Sequence, residues 1–223
     1  LHYRSGALMV QHMKKVPGQS QIYNVLLSLS ASSSDPVSGG RHKVFGSTHL
    51  NIPPQTSTIA SHLPKAVGTA FALGRANRIG LPHPLSEDSI AYCNFGDASL
   101  NHSVAQGALN AAEWSSFQNI PMPILFICED NGLGISVHTP EDWVKHNLQS
   151  RSRIKYFSAD GLDIASTYET AKQAIDYCRR NRRPAFLNLK VVRLLGHAGS
   201  DVEIEYLGIE KVEKNESKDP LLK

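Results

Sequence analysis

Cysteine is scarce in this chain: Cys93, Cys128 and Cys178 are the only three in 223 residues, and no two have metal-ligand spacing. A disulfide framework and a zinc-type cluster are thereby excluded, and buried reduced thiols in a cytosol-like compartment are the expectation. No apolar run approaches the roughly 20 residues of a membrane span, and no signal-peptide pattern is present, so no membrane partner is expected. The chain has neither Gly-x-x-x-x-Gly-Lys-Ser/Thr nor Gly-x-Gly-x-x-Gly after a strand, which argues against a plain nucleotide-binding protein. Charge of one sign is also lacking: the formal net charge is only +3. The Arg179-Arg180 and Arg182-Arg183 cluster reads as the solvated end of a helix rather than a nucleic-acid surface. Anionic small molecules are the expected partners.

Apolar residues make up 41% of the sequence and charged ones 19%, which places the chain among globular proteins rather than disordered or fibrous ones. One domain over residues 1–223 is expected, and the start at Leu1 rather than Met suggests a piece of a longer chain. Helical spacing predicts helices over 1–15, 21–29 and 65–76, the last rich in Ala66, Gly68, Ala70, Ala72 and Gly74 and therefore able to approach other backbone closely. Strands are predicted at 90–95, 124–128, 154–157 and 186–192. Between them lie a helical run to Phe117, a short helix from Glu141, and an amphipathic helix over 163–178 with Ile164, Ala171, Ala174 and Ile175 inward. Strands alternating with helices mean an α/β fold, a doubly wound parallel sheet with helices on both faces.

In an open α/β sheet ligands bind beyond the carboxyl ends of the strands. The residues there are Gly96-Asp97-Ala98-Ser99, Glu129-Asp130-Asn131-Gly132, Asp160-Gly161 and Gly196-His197. The Ala98 and Ser99 amides open the next helix, where free N–H groups favour phosphate oxygens. Magnesium takes oxygen ligands, usually one or two carboxylates with substrate phosphates and water. Asp97, the Asn131 side chain and a carbonyl near Leu133 are the candidate protein oxygens. Equally, Asp97 can be a helix cap and Asn131-Gly132 an ordinary turn; taken singly, these residues leave both readings open.

Gly96-Asp97-Ala98 followed by Asn131 resembles the thiamine diphosphate motif, Gly-Asp-Gly with Asn about 30 residues on. The chain as a whole resembles the alpha subunit, or alpha portion, of the decarboxylating component of 2-oxo acid dehydrogenase complexes. Tyr3-Arg4 is similar to that family's opening Tyr-Arg motif. The stretch from Ser57 to Gly68 is similar to its aminopyrimidine-contacting loop and helix, and Gly196-His197-Ala198-Gly199-Ser200-Asp201 is similar to its phosphorylation loop. The resemblance implies thiamine diphosphate and Mg2+ as cofactors, with Asp97, Asn131 and the Leu133 carbonyl on the metal. It implies Tyr3, Arg4 and a catalytic His197 at the diphosphate or active-site mouth, and Ser57, Ile59, Gly96, Ala98, Ser99 and Glu129 lining the cofactor. In some members a potassium ion lies near the segment corresponding to Ser57–His62.

Four positions depart from the family pattern. Val44, ahead of Phe45-Gly46, stands where a His usually precedes the aromatic-Gly pair of the early loop, and His42 is its stand-in. Ala98 replaces the third Gly. Ala198 stands at the first regulatory serine, so phosphorylation there is not expected. Tyr206-Leu207 replaces a Tyr-Arg pair. The resemblance implies oxidative decarboxylation of a 2-oxo acid and acyl transfer to a lipoylated acyltransferase component. It also implies a beta subunit or portion that supplies the activating glutamate, in a heterotetramer or a dimer of fused chains, in bacterial cytoplasm or mitochondrial matrix. A split transketolase-type enzyme and a non-catalytic scaffold subunit remain the alternatives.

Overall fold

Four apolar runs become the strands of one parallel sheet in the computed structural model, which describes residues 21–44, 46–48, 50–54 and 59–222. They are β1 (Ala91–Gly96), β2 (Ile124–Asp130), β5 (Lys155–Asp160) and β6 (Ala185–Lys190), in the order β1-β2-β6-β5. A small antiparallel hairpin, β3 (Leu133–Gly134) and β4 (Val137–His138), follows β2 directly. The described helices are α1 (Gln21–Leu29), α2 (His62–Ile79), α3 (Ser103–Phe117), α4 (Trp143–Gln149), α5 (Ile164–Asn181), α6 (Ile204–Leu207) and α7 (Ile209–Glu216). Two compact units result, one ending at His62 and one beginning at Leu63. Among the described residues no helix is long and apolar enough to cross a membrane.

Parallel crossovers explain the order of elements: α3 joins β1 to β2, and α5 joins β5 to β6. The side-chain period of two then assigns each residue to a face. Leu125, Ile127, Leu187, Leu189 and Phe157 form one face and pack on Ala171, Ala174, Ile175 and Cys178 of α5. On the other face Phe95, Phe126 and Phe186 are fully buried, with ring centroids 5.9 and 6.4 Å from Phe186. Each such ring contributes roughly 1.5–3 kcal/mol of burial. β1, β2 and β6, the more buried strands, read as nearly continuous apolar runs, as parallel strands do, whereas the edge strand β5 is largely polar and exposed.

α5 begins where its cap predicts, since Asp163 Oδ1 accepts from the Ala165 and Ser166 amides at 2.9 and 3.2 Å. Ile164, expected to point inward, is instead 82% exposed. The expected close approach of α2 is present: a Cβ on Gly74 would lie 2.8 Å from the Pro121 carbonyl oxygen. β2 runs two residues beyond its predicted end, through Glu129 and Asp130, because their backbones continue the register with Leu189 and Lys190. The segment 1–15, expected to be helical, lies outside the described residues.

Candidate functional site

The carboxyl end of β1 delivers Asp97 into the interior. Gly96 closes the strand, and Asp97 opens a five-residue 3-10 turn, Asp97–Asn101, that leads through His102 into α3. The cap of α3 is not Asp97 but His102, whose Nδ1 accepts from the Val104 amide at 3.1 Å. Asp97 is thereby free of capping duty, and its residue is completely buried.

Its two carboxylate oxygens differ. Oδ2 accepts a 2.6 Å hydrogen bond from the Thr139 hydroxyl, whereas Oδ1 is buried with no hydrogen-bond partner. Burial raises the Asp97 pKa; the Thr139 bond pulls it back, the Asp130 charge raises it again, and the amides of Asp97 and Asn131 lower it, leaving it above the ordinary carboxylate value. A buried carboxylate oxygen without a partner is costly, and a cation or a proton could satisfy it.

The hairpin after β2 folds over this carboxylate. Gly132, at φ +75°, turns the chain, and the Asn131 side-chain oxygen accepts the Leu133 amide at 2.9 Å. Gly134 passes so close to the 3-10 turn that a Cβ there would lie 2.8 Å from the Ala98 Cβ. The Thr139 amide returns to the Gly132 carbonyl at 3.0 Å, closing the loop with its hydroxyl over Asp97.

Gly96, Asp97 and Ala98 at the end of β1 and Asn131 and Leu133 just after β2 are therefore neighbours at adjoining strand ends, and Ser99 sits in the same 3-10 turn as Asp97. Glu129 stands on the α5 face of the sheet, opposite in parity to Asp130, and accepts a 3.0 Å bond from Asn94 Nδ2. Ile59 belongs to the first unit and is 49% exposed. Tyr3, Arg4 and Ser57 lie outside the described residues.

His197 is exposed on the loop after β6, where its amide donates to Asp201 Oδ2 at 2.7 Å. Arg193 ties this loop to the hairpin. One guanidinium nitrogen donates to the Ile135 carbonyl at 2.6 Å, and the other to the Tyr206 hydroxyl, which donates on to Asp201 Oδ2 at 2.7 Å. Glu203, 3.6 Å away, completes its ion pairing. Arg193 is thus the cation at the centre of these contacts.

No local signal in the sequence singles out Thr139 or Arg193. The hairpin strands have two residues each and leave no periodic signal, so the fold-back that carries Thr139 onto Asp97 was invisible. The remaining chemistry is narrow. Burial pushes the Cys93 and Cys178 thiols up to about 12 and raises Cys128 well above the ordinary thiol value, with the Asp97 and Asp130 charges adding to the last. None of the three is a nucleophile at neutral pH. Among the described residues no three His, Cys, Asp or Glu side chains converge as a metal cluster. A cation at Asp97 could draw on the side-chain amide oxygen of Asn131 and on backbone carbonyls, a donor set compatible with magnesium.

Comparison with known proteins gives a consistent result. Residues 4–223 match the family described as dehydrogenase E1 component. The chain is 31% identical over 206 residues to the 2-oxoisovalerate dehydrogenase subunit alpha of Bacillus subtilis, covering 89% of this chain and 58% of that protein. It is 30% identical over 186 residues to the pyruvate dehydrogenase E1 component subunit alpha of Rickettsia felis, covering 79% and 52%. The chain thus spans little more than half the length of these relatives. In three dimensions it is similar to transketolase from Campylobacter jejuni, with a TM-score of 0.50 and 18% identity over 74% of this chain and 24% of that one, a likeness of fold.

Proposed function

We propose, since this chain belongs to the dehydrogenase E1 component family, that it is the diphosphate- and magnesium-binding part of an enzyme that oxidatively decarboxylates a 2-oxo acid. The observation that carries the proposal is the Asp97 carboxylate, one oxygen held by Thr139 and the other buried and unpartnered at the end of β1.

The residues present fit thiamine diphosphate with Mg2+. Asp97 Oδ1, the Asn131 side chain and the Leu133 carbonyl would hold the metal, and the Ala98 and Ser99 amides, opening the 3-10 turn, would face the diphosphate. Gly96 leaves open space where a side chain would stand, so the strand end remains accessible to a ligand. When bound, thiamine diphosphate supplies the carbanion and electron-sink chemistry of decarboxylation.

This chain's own residues bind and orient. Burial of Asp97 keeps water off the metal oxygen, and the hairpin holds Asn131 and Leu133 beside it. His197, carried on the loop anchored by Arg193 and Asp201, would serve as the catalytic residue of this half at the active-site mouth, as the family resemblance implies. The family resemblance would add Tyr3, Arg4, Ser57, Ile59 and Glu129 as further cofactor contacts and would put a potassium ion near the segment Ser57–His62. The carboxylate that activates the aminopyrimidine ring comes from a beta subunit or portion, and a lipoylated acyltransferase component takes the acyl group. Bacterial cytoplasm and the mitochondrial matrix are the compartments that suit such a complex.

The test is decarboxylation of pyruvate, 2-oxoisovalerate and a longer 2-oxo acid by the protein with and without its partner. Turnover of one of these acids only in the reconstituted complex, dependent on thiamine diphosphate and Mg2+, is expected. Ketol transfer from a ketose phosphate with no 2-oxo acid turnover would overturn the proposal in favour of a transketolase-type reaction.

A further inference from the structure

The Thr139 hydroxyl has one hydrogen, and it is spent on Asp97 Oδ2 at 2.6 Å. A carboxylate on a short side chain retains rotation about its terminal bond unless something fixes it. Here the backbone of Thr139 is itself fixed, by the hydrogen bond its N–H donates to the Gly132 carbonyl at 3.0 Å and by the close passage of Gly134 over Ala98. The amides of Asp97 and Asn131 also face the same carboxylate. Oδ1 is left buried with no partner.

We propose that Thr139 is a positioning residue that locks the Asp97 carboxylate through Oδ2, so that Oδ1 alone is presented to the divalent cation. The inference rests on the proposed magnesium role of Asp97 and adds to it the group that sets the geometry of the metal oxygen. Groups that hydrogen-bond a metal ligand from behind set its orientation, and their loss typically costs 10–100-fold in metal affinity. Asp97 and Thr139 are 42 residues apart, and the hairpin is the device that joins them. It returns to the sheet end with a hydroxyl donor, where valine, of nearly the same shape, would bring none.

The experiment compares the full-length protein, reconstituted with its partner, as wild type, Thr139→Val and Thr139→Ser. Thiamine diphosphate binding is followed calorimetrically against Mg2+ concentration, and thermal unfolding is followed without Mg2+ or cofactor. Thr139→Val should raise the half-saturating Mg2+ concentration about 10–100-fold while leaving cofactor affinity at saturating Mg2+ within about threefold. Thr139→Ser, which restores the hydroxyl, should stay within about threefold of wild type throughout. Should Thr139→Val fail to fold, Thr139→Ala is read in the same way. A wild-type Mg2+ midpoint in Thr139→Val, or equal impairment of the valine and serine variants in step with lost thermal stability, would overturn the positioning role. Absence of Mg2+-dependent cofactor binding in the wild-type protein would instead overturn the magnesium reading of Asp97.

Discussion

Lys190 Nζ lies 2.6 Å from Asp130 Oδ2 where the ends of β6 and β2 meet, and it is the only ion pair to that carboxylate among the described residues. Asp130 is nearly buried and also accepts from Asn188 Nδ2 at 3.2 Å, which in turn reaches the Tyr156 hydroxyl. The pair stands next to Asn131 and Asp97, so it compensates a second carboxylate close to the first.

Lys190→Met removes the ammonium and strands the Asp130 charge. Because Lys190 is half exposed, the cost falls below that of a fully buried pair, about 1–3 kcal/mol in urea unfolding. Asp130→Asn in the same chain should recover part of the loss. Burial pulls the Lys190 pKa down, but the bond and charge of Asp130 outweigh it and hold the group above the ordinary lysine value. A raised cationic pKa stabilises fully below the ordinary lysine range, and the contribution is lost as pH rises through the folded value. The Lys190→Met deficit should therefore be flat between about pH 6 and 9 and shrink only at higher pH.

Gly134→Ala tests the closure of the hairpin on the 3-10 turn. The added Cβ, 2.8 Å from the Ala98 Cβ, must push the two segments apart, at an expected cost of about 1–3 kcal/mol. Ala98→Gly removes the opposing methyl and should restore most of the lost stability in the double variant. Simple additivity of the two losses in chemical unfolding would show that the segments do not pack as described.

In the first unit, Asp35 organises the Ser-rich loop by accepting from the Val37, Ser38 and Gly40 amides and the Ser38 hydroxyl. Burial alone pushes its carboxyl up, but the Ser38 hydroxyl and these amides outweigh that and hold it below the ordinary aspartate value. A depressed carboxyl pKa gives stability that is present above the unfolded value and lost as pH falls through the folded one. Asp35→Ala should therefore cost about 1–3 kcal/mol at neutral pH, with the gap to wild type closing as pH drops below about 4. A gap unchanged in acid would contradict the assigned bonds.

Arg193→Met should detach the His197 loop from the hairpin, since both guanidinium bonds, to the Ile135 carbonyl and the Tyr206 hydroxyl, are lost. Hydrogen exchange should accelerate across 194–207 and at the hairpin, with β1, β2 and β6 unchanged. Faster exchange throughout the sheet would point to a global rather than local role.

Much of this molecule was legible because its signals are local. The apolar runs, the Asp163 cap and the Gly-Asp strand end have residue types and spacings that dictate conformation nearby. Ile164 shows where that logic stops: its spacing from Ala171 sets the stripe it occupies on α5 but not how deeply that turn is buried. Glu129 shows a second limit. Its polarity suggested that β2 had ended, whereas continued pairing with β6 keeps it in the strand and turns its side chain to the face away from Asp130. Thr139 and Arg193 show a third, because their partners lie 42 and 58 residues away and reach them only once the two-residue strands of the hairpin have turned the chain back.

The most direct test of the account is calorimetric binding of thiamine diphosphate, with and without Mg2+, to the reconstituted wild-type protein and to Asp97→Asn. Asparagine keeps the shape and removes the charge that a divalent cation needs. Mg2+ should strengthen binding to wild type and have little or no effect on Asp97→Asn. Equal Mg2+-dependent binding by the two proteins would contradict it.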